Sequence, residues 1–187
     1  MKIYFTASFA GKKHYFDNYL AIINHLKSKG YEVQADHILK ISENQVHLQS
    51  RDTRIKFHAQ LLRWITSADF MVTETSFPSI SVGYEISLAI QNRKPVLILF
   101  AEGEAPSLFA FHSDALVVCE KYTLSSLPEI IDDFIRYIHG ATDTRFTFFV
   151  TPQISAYLEK VSKKDMIPKS VYLRKLIEEH MRTHPAK

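Results

Sequence analysis

The sequence contains a single cysteine, Cys119, so the chain cannot form an intramolecular disulfide, and this usage fits a reducing compartment. It also lacks an apolar run of the ~18–20 residues that a membrane-spanning helix needs, and its first residues lack the apolar core of a signal peptide. No group of ligands at metal-binding spacing and no complete Gly-x-Gly-x-x-Gly fingerprint is present. These absences predict a cytoplasmic protein with no metal and no other cofactor.

Positive charge is scarce except near the carboxyl end. The net charge is +3 at pH 7, yet residues 1–140 carry 14 Lys and Arg against 15 Asp and Glu, whereas residues 141–187 carry nine against five. A basic tail suits an anionic partner, although a solvated helix face also has an excess of this size.

Strand and helix patterns alternate through residues 1–140. This alternation predicts an α/β fold with right-handed crossovers, a doubly wound five-stranded parallel sheet of the flavodoxin-like type. In such sheets ligands bind beyond the carboxyl ends of the strands, which directs attention to the loops after Ser8, Thr75 and Phe100. The predicted strands are 2–8, 31–37, 69–75, 95–100 and 115–119; the predicted helices end at Gly30 or span 52–67, 82–91 and 127–138, and helix 52–67 is expected to bury Ile55, Leu61, Leu62 and Ile65.

Hydroxyls and one acid follow the third predicted strand. Pro78 and Gly83 allow a tight loop, and Glu85 projects from the first turns of the next helix. Backbone N–H groups and serine hydroxyls suit an anion or a sugar. The structural alternative is that Glu85 is only a helix-N-terminal acid favoured by the helix dipole.

Three segments, in order, resemble the nucleoside 2-deoxyribosyltransferase superfamily, which includes deoxynucleoside 5′-monophosphate N-glycosidases. They are Ile3–Gly11, Trp64–Asp69 and the Pro-Ser-Ile-Ser-Val-Gly-Tyr-Glu run at Pro78–Glu85. The resemblance implies cleavage of an N-glycosidic bond, with Glu85 attacking C1′ of the sugar and Tyr4 beside it. The expected substrate-binding residues are Ser8, Gly11, Ser76, Ser79, Ser81 and Gly83, and the resemblance implies that Ser8 and Ser79 hold a 5′-phosphate.

One family position departs from the pattern. The superfamily has a second acid on the helix before the third strand, and Leu61 stands there, with no Asp or Glu between Thr53 and Ala68. His37 and His58 are candidate replacements for proton transfer, although a lone histidine is more often a structural group. The resemblance therefore leaves two functions open: an N-glycosidase or deoxyribosyltransferase, and a catalytically impaired nucleotide sensor.

Residues 141–187 form a second predicted unit after a turn-rich break. Phe146, Phe148 and Val150 alternate as in a strand, Thr151-Pro152 predicts a helix start, and Ser170 predicts the cap of a second helix. This strand and two helices resemble the ribbon-helix-helix family. The first helix is expected to bury Ile154, Leu158 and Val161, and the second Leu173, Leu176 and Ile177.

The resemblance of the tail implies a homodimer in which the strands of two copies pair. In DNA-binding members this ribbon enters the major groove. By that reading Arg145 and Thr147 contact bases, while Lys169 and Ser170 contact phosphate. A tail that only dimerises is the alternative, because Phe149 stands where a polar base-reading residue is expected.

Overall fold

The computed structural model describes residues 1–40, 50–103, 106, 109, 116–140, 150–165 and 169–184. The chain forms two compact units, Met1–Asp143 and Thr144–Lys187. The strands of the first unit are β1 (Lys2–Ala7), β2 (Glu32–Gln34), β3 (Phe70–Glu74), β4 (Val96–Phe100) and β5 (Val117–Lys121). Its helices are α1 (Lys12–Ser28), α2 (Asp36–Lys40), α3 (Arg51–Ser67), α4 (Ile80–Gln91) and α5 (Leu127–Ile138). The second unit contains α6 (Pro152–Asp165) and α7 (Lys169–Thr183).

The five strands form one parallel sheet in the order β2-β1-β3-β4-β5, which confirms the predicted fold class. In β1, Ile3 lies opposite Val33 of β2 on one side and opposite Phe70 of β3 on the other. The strand order reverses between β1 and β3. The loops that follow these two strands therefore border the switch point at which such sheets bind ligands.

Alternate residues of the strands pack into two hydrophobic clusters, one on each face of the sheet. Ile3, Phe5 and Val72 pack with residues of α1 and α5. Tyr4 and Met71 point the other way and pack with residues of α3 and α4. Each fully buried side chain of this kind stabilises the fold by about 1.5–3 kcal/mol. The two faces thus carry separate layers of helices, and any polar side chain buried on one face is screened from the other by the sheet.

The second strand is shorter than the pattern predicted. β2 ends at Gln34, and α2 begins at Asp36 because Ala35 O accepts hydrogen bonds from Ile38 N and Leu39 N, each at 3.0 Å. An acid in the first turn also favours a helix. The predicted strand 31–37 is therefore wrong in its last residues, and His37 lies on a helix.

The helix before β3 buries a narrower stripe than expected. Leu61 and Ile65 are buried, but Ile55 is 57% and Leu62 is 36% exposed, so the prediction for those two residues is wrong. Residues four apart share one face of a helix, and only the face of Leu61 and Ile65 meets the sheet. By contrast, helix 127–138 is confirmed at both ends.

The second unit begins as predicted and then differs. Thr151 Oγ1 accepts from Ile154 N at 3.3 Å, which confirms the helix start, whereas α7 begins at Lys169, so Ser170 is its second residue instead of the preceding cap. Leu158 is buried, but Ile154, Leu176 and Ile177 are 47%, 43% and 59% exposed, so the expectation that these three are buried is wrong for a single copy. The predicted strand lies outside the described residues as far as residue 149.

Candidate active site

Glu85 lies in the second turn of α4. The helix is capped by the Ser79 hydroxyl, which accepts from Val82 N at 3.4 Å. Only 6% of the Glu85 surface is exposed. Burial disfavours a charged carboxylate and raises the pKa of Glu85 to about 7. Glu85 is therefore an acid that changes its protonation state near neutral pH.

Tyr4 links the sheet to this acid. It lies in β1, it is fully buried, and its hydroxyl donates a hydrogen bond to Glu85 Oε2 at 2.8 Å. Burial, together with the nearby Glu85, raises the pKa of Tyr4 well above its usual value, so the phenol keeps its proton. The two residues predicted to act together are thus in direct contact.

His37 is the third member of the group. Its Nε2 lies 3.0 Å from Tyr4 Oη, and the two rings stack with centroids 5.2 Å apart. Because the Tyr4 proton goes to Glu85, the geometry assigns an N–H to His37 Nε2, and His37 Nδ1 has no partner among the described residues. Burial lowers the pKa of His37 to about 4, so the imidazole is neutral at pH 7.

His58, the other candidate histidine, is exposed on α3. Its Nε2 lies 2.8 Å from the Tyr84 hydroxyl, and this contact is on the outer surface of α3 and α4. The structure therefore brings His37, and not His58, into hydrogen-bonding contact with Tyr4.

Apolar side chains surround His37 and Tyr4. Leu61 is 5% exposed and belongs to the same buried cluster as Tyr4. Trp64 stacks against His37 with ring centroids 5.4 Å apart, and Phe57 packs edge-on against Trp64 at 6.2 Å. Leu61, where the resemblance predicts a second acid, is thus part of an apolar wall.

A cavity of about 380 Å³ opens at the amino end of α4. Of the predicted substrate-binding residues, Ser76, Ser79 and Gly83 line it, whereas Ser8, Gly11 and Ser81 do not. Neither Tyr4 nor Glu85 lines this "α4 cavity", although Ile86 does. Its walls are loop 75–79, then Val82, Gly83 and Ile86 of α4, and on the other side Glu102, Gly103, Pro106 and Phe109.

The predicted binding residues outside the α4 cavity differ in the contacts that they make within the protein. Ser8 Oγ accepts from Gly11 N at 3.3 Å. A Cβ atom at Gly11 would lie 2.5 Å from Tyr19 Oη and 2.7 Å from Phe77 Cβ, so this loop position requires glycine for packing. Ser81 is exposed.

A second buried acid, Glu74, was missed by the sequence reasoning. It ends β3 on the face of Phe70 and Val72, and it is completely buried. Its Oε1 accepts from Ser76 N at 3.2 Å, from Tyr122 Oη at 3.2 Å and from the Ser76 hydroxyl. Burial raises the pKa of Glu74. An acid at the end of an otherwise apolar strand was the available signal, because a buried carboxyl group requires hydrogen-bond donors.

The predicted DNA-binding residues are only partly described. Arg145 and Thr147 lie outside the described residues, and Lys169 is exposed at the start of α7. Across the described parts of both units, no three His, Cys, Asp or Glu side chains are arranged to hold a metal ion. In those same parts, no helix has the length and apolar character needed to span a membrane.

The first unit is similar in sequence to proteins named as N-hydrolases. A protein of Syntrophotalea carbinolica named 2′-deoxynucleoside 5′-phosphate N-hydrolase 1 is 32% identical over 141 residues, which cover 74% of this chain and 97% of that protein. The 5-hydroxymethyl-dUMP N-hydrolase of Tetraodon nigroviridis is 28% identical over 141 residues, 72% of this chain and 96% of that protein.

Two solved structures share the fold. The CMP N-glycosidase of Clostridium botulinum has a TM-score of 0.52 at 20% identity, covering 72% of this chain and 99% of that one. A 2-deoxyribosyltransferase of Bacillus psychrosaccharolyticus has a TM-score of 0.50 at 18% identity, covering 68% and 90%. Residues 143–182 match the ribbon-helix-helix domain family. The chain therefore belongs to the 2′-deoxynucleoside 5′-phosphate N-hydrolase family and carries a ribbon-helix-helix domain at its carboxyl end.

Proposed function

We propose that the protein hydrolyses the N-glycosidic bond of a 2′-deoxynucleoside 5′-monophosphate, with Glu85 as the nucleophile. The observation that carries this proposal is the buried Tyr4–Glu85 hydrogen bond of 2.8 Å, next to an acid whose pKa of about 7 allows ionisation at neutral pH. The names of the relatives given above support the same substrate class.

The reaction has two steps in this proposal. The Glu85 carboxylate attacks C1′, the C1′–N bond breaks, and its electron pair leaves with the base, which takes a proton from water. Water then attacks C1′ of the glycosyl ester and gives its proton to the hydroxide left by the first step, which releases the sugar phosphate and regenerates the carboxylate. Tyr4 holds Oε2 of Glu85, so the other carboxylate oxygen is oriented for attack.

His37 orients the tyrosine. A neutral imidazole with an N–H on Nε2 donates to Tyr4 Oη, and this fixes the direction of the Tyr4 proton toward Glu85. With a pKa of about 4, His37 is not protonated at pH 7 and does not supply the acid missing at Leu61. The hydrogen-bonded group His37–Tyr4–Glu85 therefore orients the nucleophile and does not protonate the leaving base.

The α4 cavity is the proposed site of the 5′-phosphate. The first N–H groups of a helix have no intrahelical acceptor, and the helix dipole favours an anion there. The Ser79 hydroxyl uses its oxygen in the cap and keeps its proton for a ligand. Glu102 on the opposite wall suits a sugar hydroxyl as an acceptor, and Tyr15 Oη donates to it at 2.9 Å. Ser8, Gly11, Ser81 and Gly83 stay predicted contacts.

Release of free base from deoxynucleosides and their 5′-monophosphates tests the proposal. We expect the wild type to release base from the monophosphates, and Glu85→Gln to lose at least ~10³-fold in kcat. Glu32→Gln, an exposed acid on β2, is the matched control. No release by the wild type, or equal release by Glu85→Gln, contradicts the proposal.

We further infer that the ribbon-helix-helix domain joins two copies of the chain. Ile154, Leu176 and Ile177 are about half exposed in a single copy, and their burial by a second copy accounts for this apolar surface. We expect the full chain to sediment as a dimer and Leu176→Asp to shift it toward monomer. A monomeric wild type contradicts the inference.

Binding of DNA by this domain is a separate proposal, supported by the basic tail. A gel shift with a mixed-sequence duplex pool should show affinity that falls steeply with salt and falls again in Arg145→Ala. Absence of a shift at low salt would contradict DNA binding, and dimerisation would be the remaining proposed role of the domain.

A further inference from the structure

The buried acid Glu74 is not part of the proposed reaction, yet it is at the centre of a polar network on the α1 face of the sheet. Besides its contacts to Ser76 and Tyr122, the network extends to α1, because Asn18 Nδ2 donates to Tyr122 Oη at 2.9 Å. This hydrogen bond between a partly buried amide and a buried hydroxyl fixes the distance between the elements that carry them.

Ser76 extends the network to the end of β4. Its hydroxyl donates to Glu74 and accepts from Ala101 N at 2.7 Å. Because its only proton is used by Glu74, Ser76 has no hydroxyl donor left for a phosphate. The predicted role of Ser76 as a substrate contact therefore has an alternative, in which the side chain joins two loops.

These two loops form opposite walls of the α4 cavity. Loop 75–79 follows Glu74 directly, and Glu102 and Gly103 follow Ala101 directly. A second pair of bonds brings the same strands together, since Thr75 N and Thr75 Oγ1 donate to Leu99 O at 2.8 and 3.1 Å. The bridge Glu74–Ser76–Ala101 thus sets the separation of the walls where the strands end.

We propose that Glu74 is a positioning residue for the 5′-phosphate, which acts by holding loop 75–79 and the amino end of α4 against the loop after β4. This inference rests on the proposed function for the identity of the ligand, but not on catalysis. It predicts that losing the bridge weakens binding of a nucleotide more than binding of the nucleoside that lacks the phosphate.

The test is calorimetric binding in the Glu85→Gln background, where turnover does not interfere. The probes are dUMP with deoxyuridine and dGMP with deoxyguanosine. Glu74→Leu leaves three donors without an acceptor, and Ser76→Ala removes the bridge with a smaller change. We expect each to weaken nucleotide binding by roughly 5- to 50-fold and to change nucleoside binding by less than about twofold.

Glu74→Gln is the conservative variant. It keeps an oxygen at the position of Oε1 and changes Oε2, which has no partner among the described residues, so we expect nucleotide affinity within about threefold of the starting protein. Glu32→Gln serves as the control. Thermal melting of each variant identifies those that fail to fold. If Glu74→Leu fails to fold, the test rests on Ser76→Ala.

Equal losses for nucleotide and nucleoside, a loss in Glu74→Gln as large as in Glu74→Leu, or no loss in Ser76→Ala would overturn the proposal. A Glu85→Gln protein with an intact bridge that binds nucleotide no better than nucleoside would overturn the proposal as well. If nucleotide binding depends on the bridge while no free base is ever released, the positioning role stands and the proposed hydrolase activity fails.

Discussion

Two buried glutamates lie on opposite faces of the sheet, and their surroundings differ. Glu74 directs one oxygen at donors from the loops after β3 and β5. Glu85 accepts from Tyr4, whose hydroxyl in turn contacts the neutral imidazole of His37. Both carboxyl groups have a raised pKa because both are buried. The comparison indicates that burial alone does not distinguish the proposed nucleophile, Glu85, from the proposed positioning residue, Glu74; their hydrogen-bond partners do.

The largest difference between the two acids should appear in turnover. We expect Glu85→Gln to lose at least ~10³-fold in kcat, because the nucleophile is gone, and Glu74→Gln to keep kcat within about threefold. Steady-state kinetics with a deoxynucleoside 5′-monophosphate compares them directly. Similar losses in both variants would remove the distinction.

The next largest difference concerns stability and its dependence on pH. The unfolded chain releases the Glu85 proton near 4.5 and the folded chain near 7, so the free energy of unfolding falls as pH rises between these values. Above pH 7 the ionised, buried Glu85 lowers the free energy of unfolding by about 3 kcal/mol. Glu85→Gln removes this loss, because glutamine does not ionise.

We therefore expect Glu85→Gln to raise Tm by roughly 6–12 °C at pH 8 and by little at pH 4. Glu74→Gln should raise Tm less at pH 8, because three donors stabilise the carboxylate of Glu74 in the wild type. Melting curves at both pH values check this, and equal gains in Tm for the two variants at pH 8 would contradict the expected difference between the two acids.

Removal of the tyrosine hydroxyl should have an intermediate effect. A donor to a carboxylate favours the charged form, so Tyr4→Phe should lower kcat by about 10- to 100-fold and shift the rise of kcat/KM, expected near pH 7, to higher pH. The control is Tyr84→Phe, which changes an exposed tyrosine on α4. An unshifted profile in Tyr4→Phe would show that the hydroxyl does not set the pKa of Glu85.

The smallest expected effect is that of His37, because it acts through Tyr4. We expect His37→Leu to lower kcat by about 3- to 10-fold and His37→Asn, which keeps an N–H donor, to recover part of the loss. His58→Asn, at an exposed position, should match the wild type. If His37→Leu lowers kcat as much as Glu85→Gln does, the histidine takes part in the reaction itself.

Much of the fold could be predicted because periodicity reports which side of an element is buried. Helix 127–138 was found to the residue, but the pattern of 52–67 did not reveal that Ile55 and Leu62 lie beyond the edge of the packed stripe. In the tail, Leu176 and Ile177 have the apolar pattern of a buried face, although a single copy does not cover them. Spacing along a chain identifies an apolar stripe without identifying what covers it.

The site was predicted less completely. Glu85 and Tyr4 were predicted through the family resemblance, and their hydrogen bond joins α4, which packs against β3 and β4, to the neighbouring strand β1. His37 reaches Tyr4 because the chain turns into α2 after a three-residue strand, and no local pattern predicts that turn. Glu74 was missed although Ser76, which supplies two of its three donors, is only two residues away; its third donor, Tyr122, is distant in sequence.

Mass spectrometry of an acid-quenched reaction between the protein and a deoxynucleoside 5′-monophosphate tests most directly whether Glu85 is the nucleophile. We expect a phosphodeoxyribosyl group on the peptide that contains Glu85, and none in Glu85→Gln. Release of free base without any adduct, or an adduct on another residue, would contradict the assignment of Glu85 as the nucleophile.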